Sequence, residues 1–290
     1  MRIHTLECGR VRIKRSQAAG VGHGLARRLR PLIDPEWTDW LPIHAYAIEH
    51  ADGVIVVDAG GNAGLMRLPQ WHPYFRFAVQ FDIDREREIG PRLKALGIGA
   101  RDVKTVVLTH LHIDHDGGLA DLPGAEVLAA PGELAAASGL RGKLGGYLPQ
   151  RWPRNFDPKP LRLEQAALGP FSQSARITRD GAICVIPTPG HTPHHVSVVA
   201  EAEDRRIVFT GDATYSEENF RDGVIDGVAP DDEQARGSLS RLTALAAERP
   251  TLILPAHDTT SPLRLAAWEA GASPPNLVPE RLAHLPEVSG

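Results

Sequence analysis

Residues 109–118 read THLHIDHDGG, with His110, His112, Asp114, His115 and Asp116 packed into seven positions. The run before them, Val103–Leu108, is β-branched and apolar and predicts a buried strand. The run after them opens with Gly117 and Gly118 and continues into an Ala/Leu segment able to start a short helix. Several imidazole and carboxylate donors therefore hang from a loop at one strand end, where layered α/β scaffolds place their chemistry. These donors suit zinc and other borderline divalent ions, and no thiol competes with them in this stretch. They exceed what one tetrahedral ion needs once partners arrive from elsewhere, so two adjacent ions are expected. A polar turn with solvated histidines is the bland reading, and this density of donors counts against it.

Outward from that stretch the chain is ordinary. Its 290 residues carry a formal charge of −4 and suffice for a full core. The charge offers no general attraction for nucleic acid or anionic membranes, so neither is an expected partner. Cys8 and Cys184 lie far apart in apolar, strand-like runs and read as buried free thiols rather than a disulfide framework. No signal-peptide core and no uninterrupted apolar span is visible, which makes the cytoplasm the expected location.

In order, Met1–Ile13 alternates like an opening strand, and Arg15–Trp40 is irregular and expected to cover a surface. Ile43–Glu49 and Gly53–Asp58 flank Ala51-Asp52-Gly53, a hairpin signal. The second of these strands ends in VVDAGG, residues 56–61. Residues 62–82 are aromatic-rich, with Trp71, His72, Tyr74, Phe75, Phe77 and Phe81. They read equally as a cover for an apolar substrate or as an inert packed loop. A helix over Ile83–Gly97 is interrupted by Pro91, which implies a break or a later start. Glu126–Ala129 reads as a strand, Pro131–Ser138 as a helix, and residues 139–160 as an insertion or long loop. Strands follow at Ala182–Pro187, His195–Ala200 and Arg206–Thr210, then a helix at Ser238–Ala247 and a strand at Thr251–Leu254. One domain over 1–290, with two mixed sheets covered by helices, is the economical arrangement.

Four strand-to-loop junctions then carry metal-ligand chemistry: His110–His115, His191, Asp212 and His257. With Asp58 in VVDAG, HLHIDH, TPGHTPHH, FTGDATY and PAHD, in that order over roughly residues 43–260, the chain resembles the metallo-β-lactamase superfamily of binuclear hydrolases. The resemblance implies an α/β fold of the αββα sandwich type, with the site on one edge of the stacked sheets. It also implies that His110, His112 and His191 hold one divalent ion, and Asp114, His115 and His257 the other. Asp212 would bridge them, and Asp58 would orient a ligating histidine. Zinc is the expected metal, and the same donors accept iron, cobalt or manganese.

GDATY places Tyr215 three residues after Asp212, which looks like the N-acyl homoserine lactone lactonases of this superfamily. There such a tyrosine would donate to the carbonyl oxygen under attack; in the mechanism expected here, Asp114 or a water it orients returns a proton to the departing ring oxygen. The implied substrate is a small-molecule lactone, and a homodimer burying the aromatic loop is the assembly that analogy offers. His194 departs from the TPGHTPGH pattern, and two readings are open: a simply exposed side chain, or one that narrows or recharges the pocket entrance. A glyoxalase II-type thioesterase, a β-lactamase and a phosphotriesterase would use the same ligands, and an iron-dependent persulfide dioxygenase is a further alternative. No basic C-terminal domain for a glutathione carboxylate, no signal peptide of a secreted β-lactamase and no altered HxHxDH or flavodoxin-like domain of the iron proteins is visible, so these alternatives rank below the lactonase expectation.

Overall fold

In a computed structural model the described residues are 1–66, 68–154 and 156–272. Positions 67, 155 and 273–290, part of the expected 1–290 domain and its two loops, lie outside them.

Strands run at Arg2–Ile13 (β1), Leu41–His50 (β2), Gly53–Val57 (β3), Val79–Asp82 (β4), Val103–Val107 (β5), Glu126–Ala129 (β6) and Lys159–Pro160 (β7), the central ones on apolar runs. They form a first mixed sheet in the order β4-β1-β2-β3-β5-β6-β7. Ala175–Arg176 (β8), Ile183–Pro187 (β9), Val196–Glu201 (β10), Arg206–Gly211 (β11) and Thr251–Pro255 (β12) form a second, ordered β12-β11-β10-β9-β8. The expected hairpin is present: Tyr46 through His50 pair antiparallel with Val57 back to Gly53.

Alternate residues of the central strands point to opposite faces, and both faces are covered. Ile48, Ile55, Val57 and Val107 of the first sheet meet Val185, Val198, Phe209 and Leu254 of the second in one core cluster. Val56 and Val106 face outward onto Ile89 and Leu93 of a helix at Ile89–Ala95. Val199, Val208 and Ile253 face outward onto Leu239, Leu242 and Leu245 of a helix at Asp232–Ala247. This is the αββα sandwich, and burial on both faces explains why its strands read as apolar runs rather than as an alternation.

Three local expectations shift. The helix expected at Ser238 begins six residues earlier, because Asp231 caps it by accepting from the N–H groups of Glu233 and Gln234. The helix around Pro91 starts at Ile89, which leaves the proline in the first turn where its missing N–H costs nothing. Arg15–Trp40 is mostly exposed, as expected of a surface cover, but it is not wholly irregular. It forms short helices at Arg15–Ala18 and Gly24–Leu29, and Arg27 is fully buried.

β3 and β5 run parallel, β11 and β12 run parallel, and β9 shares the direction of β11 through two antiparallel pairings with β10. Asp58, His110, His191, Asp212 and His257 follow the C-terminal ends of β3, β5, β9, β11 and β12, so chain direction gathers them at one edge. There the Val196 N–H donates to the Thr109 carbonyl and the His44 N–H to the Ala256 carbonyl, tying the two sheets together.

Candidate metal centre and substrate cavity

His110 is buried at the end of β5, and a four-residue helix, Ile113–Asp116, turns out of His112. A short helix lies inside the motif, because the His112 carbonyl accepts from the N–H groups of His115 and Asp116, and the helix expected after the glycines is a 3-10 turn over Gly117–Asp121. The Ile113–Asp116 helix throws His115 back beneath the strand end and leaves Asp114 partly exposed. The VVDAGG turn packs onto it: the Ala59 N–H donates to the His115 carbonyl, and the Gly118 N–H to the Gly60 carbonyl. A Cβ on Gly118 would stand 2.2 Å from the Ala59 carbonyl oxygen, so the approach requires glycine.

Two neighbouring ligand clusters result. His110 Nε2 and His112 Nδ1 lie 3.1 Å apart, and His112 Nδ1 and His191 Nε2 lie 3.0 Å apart. Beside them, His257 Nε2 is 3.5 Å from Asp114 Oδ2 and 3.2 Å from Asp212 Oδ1. His115 Nε2 is 3.3 Å from that same Asp212 oxygen, and the other Asp212 oxygen is 3.5 Å from His191 Nε2. Asp212 thus touches both clusters. Either His110, His112 and His191 or Asp114, His115 and His257 could hold an ion, with ligand atoms within 4.8 Å of one another.

The donors fit divalent cations on two counts. Ligands about 2.0–2.1 Å from a tetrahedral zinc stand roughly 3.3 Å apart, close to the spacing of these nitrogens. Facing ring nitrogens can share only one proton between a pair, and His115 Nε2 and Asp212 Oδ1 are buried without a hydrogen-bond partner. A cation satisfies all of them together.

The far nitrogen of every histidine is engaged, which fixes the one left for an ion. His115 Nδ1 meets Asp58 Oδ2 at 2.9 Å, His191 Nδ1 meets Asp226 Oδ2 at 3.2 Å, and His257 Nδ1 meets the Pro42 carbonyl at 2.8 Å. His110 Nδ1 lies 3.1 Å from Thr109 Oγ1, and His112 Nε2 lies 3.2 Å from the Gly145 carbonyl. Asp58 also accepts from the Thr109 N–H and hydroxyl, and it is the one described non-glycine residue with positive φ, at 59°.

Burial and the crowding of neighbouring imidazoles hold His110 well below its usual range, and the same causes push His112 down to about 3. Both stay neutral, the form that coordinates a metal. Burial alone would raise Asp212, but His257 and His115 outweigh it and keep the carboxylate ionised. Burial raises the Tyr215 phenol well above its usual range, with Asp212 adding to the effect, so it remains a hydrogen-bond donor.

A cavity of about 320 Å³ opens above this cluster. His112, Asp114, Asp212 and His257 form its polar floor, while Val11, Ile13, Val79 and Phe81 are among its apolar walls. Tyr215 also lines it, stacked on His257 with ring centroids 5.3 Å apart and planes at 21°. Of the two readings of the aromatic stretch, lining wins for Pro73, Tyr74 and Phe75, whereas Trp71 and Phe77 stay exposed. His72 Nε2 meets the Leu144 carbonyl at 3.2 Å, which ties this segment to residues 144–146 of the expected insertion across the cavity.

His194 is not in the cavity wall. Its ring lies over Gly132, where a Cβ would come within 2.3 Å of it, and its N–H donates to buried Glu133. It therefore rests against the helix at Pro131–Ala136 while staying exposed, the first of the two readings, and does not narrow the entrance. His195 is fully buried, and its Nε2 accepts from the Asp212 N–H, fixing the backbone of that carboxylate. Sequence reasoning passed over Asp226 and Gln17. Asp226 sits in a loop with no ligand-like spacing, and Gln17 lies in a segment without period whose partners are about 57 and 198 positions away.

With this geometry, a family comparison is direct. Residues 38–257 match the model of the metallo-beta-lactamase superfamily, and the chain belongs to that superfamily of metal-dependent hydrolases. Among relatives, it is 27% identical over 223 residues to an N-acyl homoserine lactonase, AttM, of Rhizobium radiobacter, covering 75% of this chain and 82% of that one. An N-acyl homoserine lactonase of a Bacillus species is 26% identical over 225 residues, with the same coverage. Among solved structures, a mutant of B. thuringiensis AiiA with N-decanoyl-L-homoserine bound at its active site superposes with a TM-score of 0.72. That match has 22% identity and covers 90% of this chain and 94% of that one. AidC, a dizinc quorum-quenching lactonase, gives a TM-score of 0.59 at 15% identity over 89% and 87% of the two chains.

Proposed function

We propose that this chain opens lactone rings, with N-acyl homoserine lactones as the substrates. His110, His112 and His191 would hold one divalent ion, Asp114, His115 and His257 a second, and Asp212 would span both. The observation that carries the reading is Tyr215, a buried, protonated phenol lining an apolar cavity directly beside the ligand clusters. The names of the relatives support it.

When bound, two such ions polarise a carbonyl and lower the pKa of water enough to supply a nucleophile near neutrality. Val11, Ile13, Val79 and Phe81 accept the acyl chain and exclude water from it. Tyr215 donates its O–H to the oxygen that gains negative charge as the ester carbon becomes tetrahedral. The water oxygen bonds to that carbon and gives up a proton, which Asp114, on the cavity floor, takes and passes to the ring oxygen as the bond from carbon to that oxygen breaks. Water adds across the ester and a hydroxy acid leaves.

The experiment is proton release from N-hexanoyl homoserine lactone by metal-loaded protein, with nitrocefin and S-lactoylglutathione alongside. Lactone turnover that falls about 10²–10³-fold in Tyr215→Phe supports both the substrate and the phenol's role. Turnover of either control without lactone opening overturns the assignment.

A further inference from the structure

The hydroxyls of Tyr215 and Tyr74 are tied to one side chain. Gln17 Nε2 lies 2.8 Å from the Tyr74 hydroxyl and 3.2 Å from the Tyr215 hydroxyl, and all three residues line the cavity. Gln17 is 2% exposed, so this bridge is sheltered from water. A primary amide has two N–H donors spread by about 120°, one for each phenol oxygen, which holds those oxygens about 5 Å apart. Each phenol accepts from Gln17 and keeps its own O–H for another acceptor. Among the described residues neither hydroxyl has a second partner.

We propose that Tyr74 is a second substrate-contacting phenol, and that the Tyr74–Tyr215 pair spaced by Gln17 selects lactones bearing an acylamino group next to the ring carbonyl. This rests on the lactonase reading and names what the site would read beyond the ring. Two donors about 5 Å apart match two carbonyl groups whose carbons are three bonds apart, one in the ring and one in the amide. A plain alkyl lactone offers only the first. Tyr215 then serves the reacting carbonyl, Tyr74 the amide carbonyl, and the tail continues onto the apolar wall.

Gln17 is the positioning residue. It comes from the helix Arg15–Ala18, whose neighbourhood is latched to the opposite wall: the Gly227 N–H donates to the Gln17 carbonyl, and the Gly20 N–H to the Ile225 carbonyl. Its amide therefore has a fixed origin against which both phenols are set.

The test compares N-hexanoyl homoserine lactone with α-heptyl-γ-butyrolactone, which keeps the ring and tail length and lacks the amide. Tyr74→Phe should lower kcat/KM for the amide substrate about tenfold more than for the alkyl lactone, mainly through KM. Tyr215→Phe should lower kcat for both. Calorimetric affinity for ring-opened N-hexanoyl homoserine should fall in Tyr74→Phe by about tenfold more than affinity for 2-heptyl-4-hydroxybutanoate. Equal effects of Tyr74→Phe on the two lactones, or none on either, overturn the proposal while the lactonase reading stands. If the unmodified enzyme opens neither lactone, both fall.

Discussion

Asp226 Oδ2 lies 3.2 Å from His191 Nδ1, while its other oxygen accepts from the N–H groups of Val228 and Ala229. That contact orients the one candidate ligand contributed by the 188–195 turn. The loop carrying Asp226 is itself held by buried Arg27, which donates to the carbonyls of Asp226 and Ala229 and to Asp232. Asp226→Ala should therefore weaken ion binding by about 10–100-fold without unfolding the chain. Competition with a chromogenic chelator reads this directly, and activity at saturating metal should recover in part. Unchanged metal affinity would leave Asp226 with a loop-closing role only.

A second carboxylate separates charge from backbone conformation. Asp58 accepts three hydrogen bonds with a left-handed φ of 59°. Asn tolerates that conformation, whereas Ala pays roughly 1 kcal/mol for it. Asp58→Asn should retain the melting temperature more closely than Asp58→Ala, and both should lose metal affinity through His115. Equal melting temperatures would remove the conformational part of the argument.

How much of this was legible in the sequence follows from what each residue depends on. The candidate ligand positions stood out because their motifs follow apolar strands, and strand direction alone brings strand ends together. Asp58 stood out for a related reason: its glycine-rich turn must fit beneath His115. The partners across the cavity did not show. Gln17 and Asp226 act through chain segments that meet only when the first sheet closes over the second, and their own neighbourhoods carry no apolar period. His194 left two readings open, and the structure agrees with the exposed one. Its place in the TPGHTPHH motif suggested the pocket, yet the space opened by Gly132 draws its ring onto a helix.

Cys8 tests the packing behind the site. Its side chain sits under the glycine turn, with Gly60 so close that a Cβ there would lie 2.2 Å from the Cys8 Cβ. Burial pushes the thiol up to about 12, against small opposing contributions from Ala45 and Arg92. At pH 8 the thiolate is then rare, on the order of one in 10⁴, and sheltered as well. Iodoacetamide should modify Cys8 only at the rate at which the chain opens, accelerating with denaturant. Rapid modification of the native protein would show that β1 and this turn separate locally.

His44 makes acid stability predictable. It lies on β2, 2% exposed, with Nδ1 buried and unpartnered among the described residues. Burial, and then the neighbouring His257, push its imidazole from 6.5 down to about 4. The unfolded chain therefore takes up a proton in a pH range where the folded chain does not. Its contribution to stability is complete above about 6.5 and is lost progressively as pH falls toward about 4, reaching on the order of 3 kcal/mol. Urea unfolding of chelated protein at pH 7.5 and 4.5 measures the full loss, to which other buried histidines also contribute. His44→Phe isolates one share: it keeps an aromatic ring at the position and has nothing to protonate. The loss between the two pH values should be smaller in His44→Phe by that order of magnitude, whatever its stability at pH 7.5. An identical loss in both proteins would mean that His44 is protonated equally in the folded and unfolded chains, and that the β2 end beside His257 is open to water.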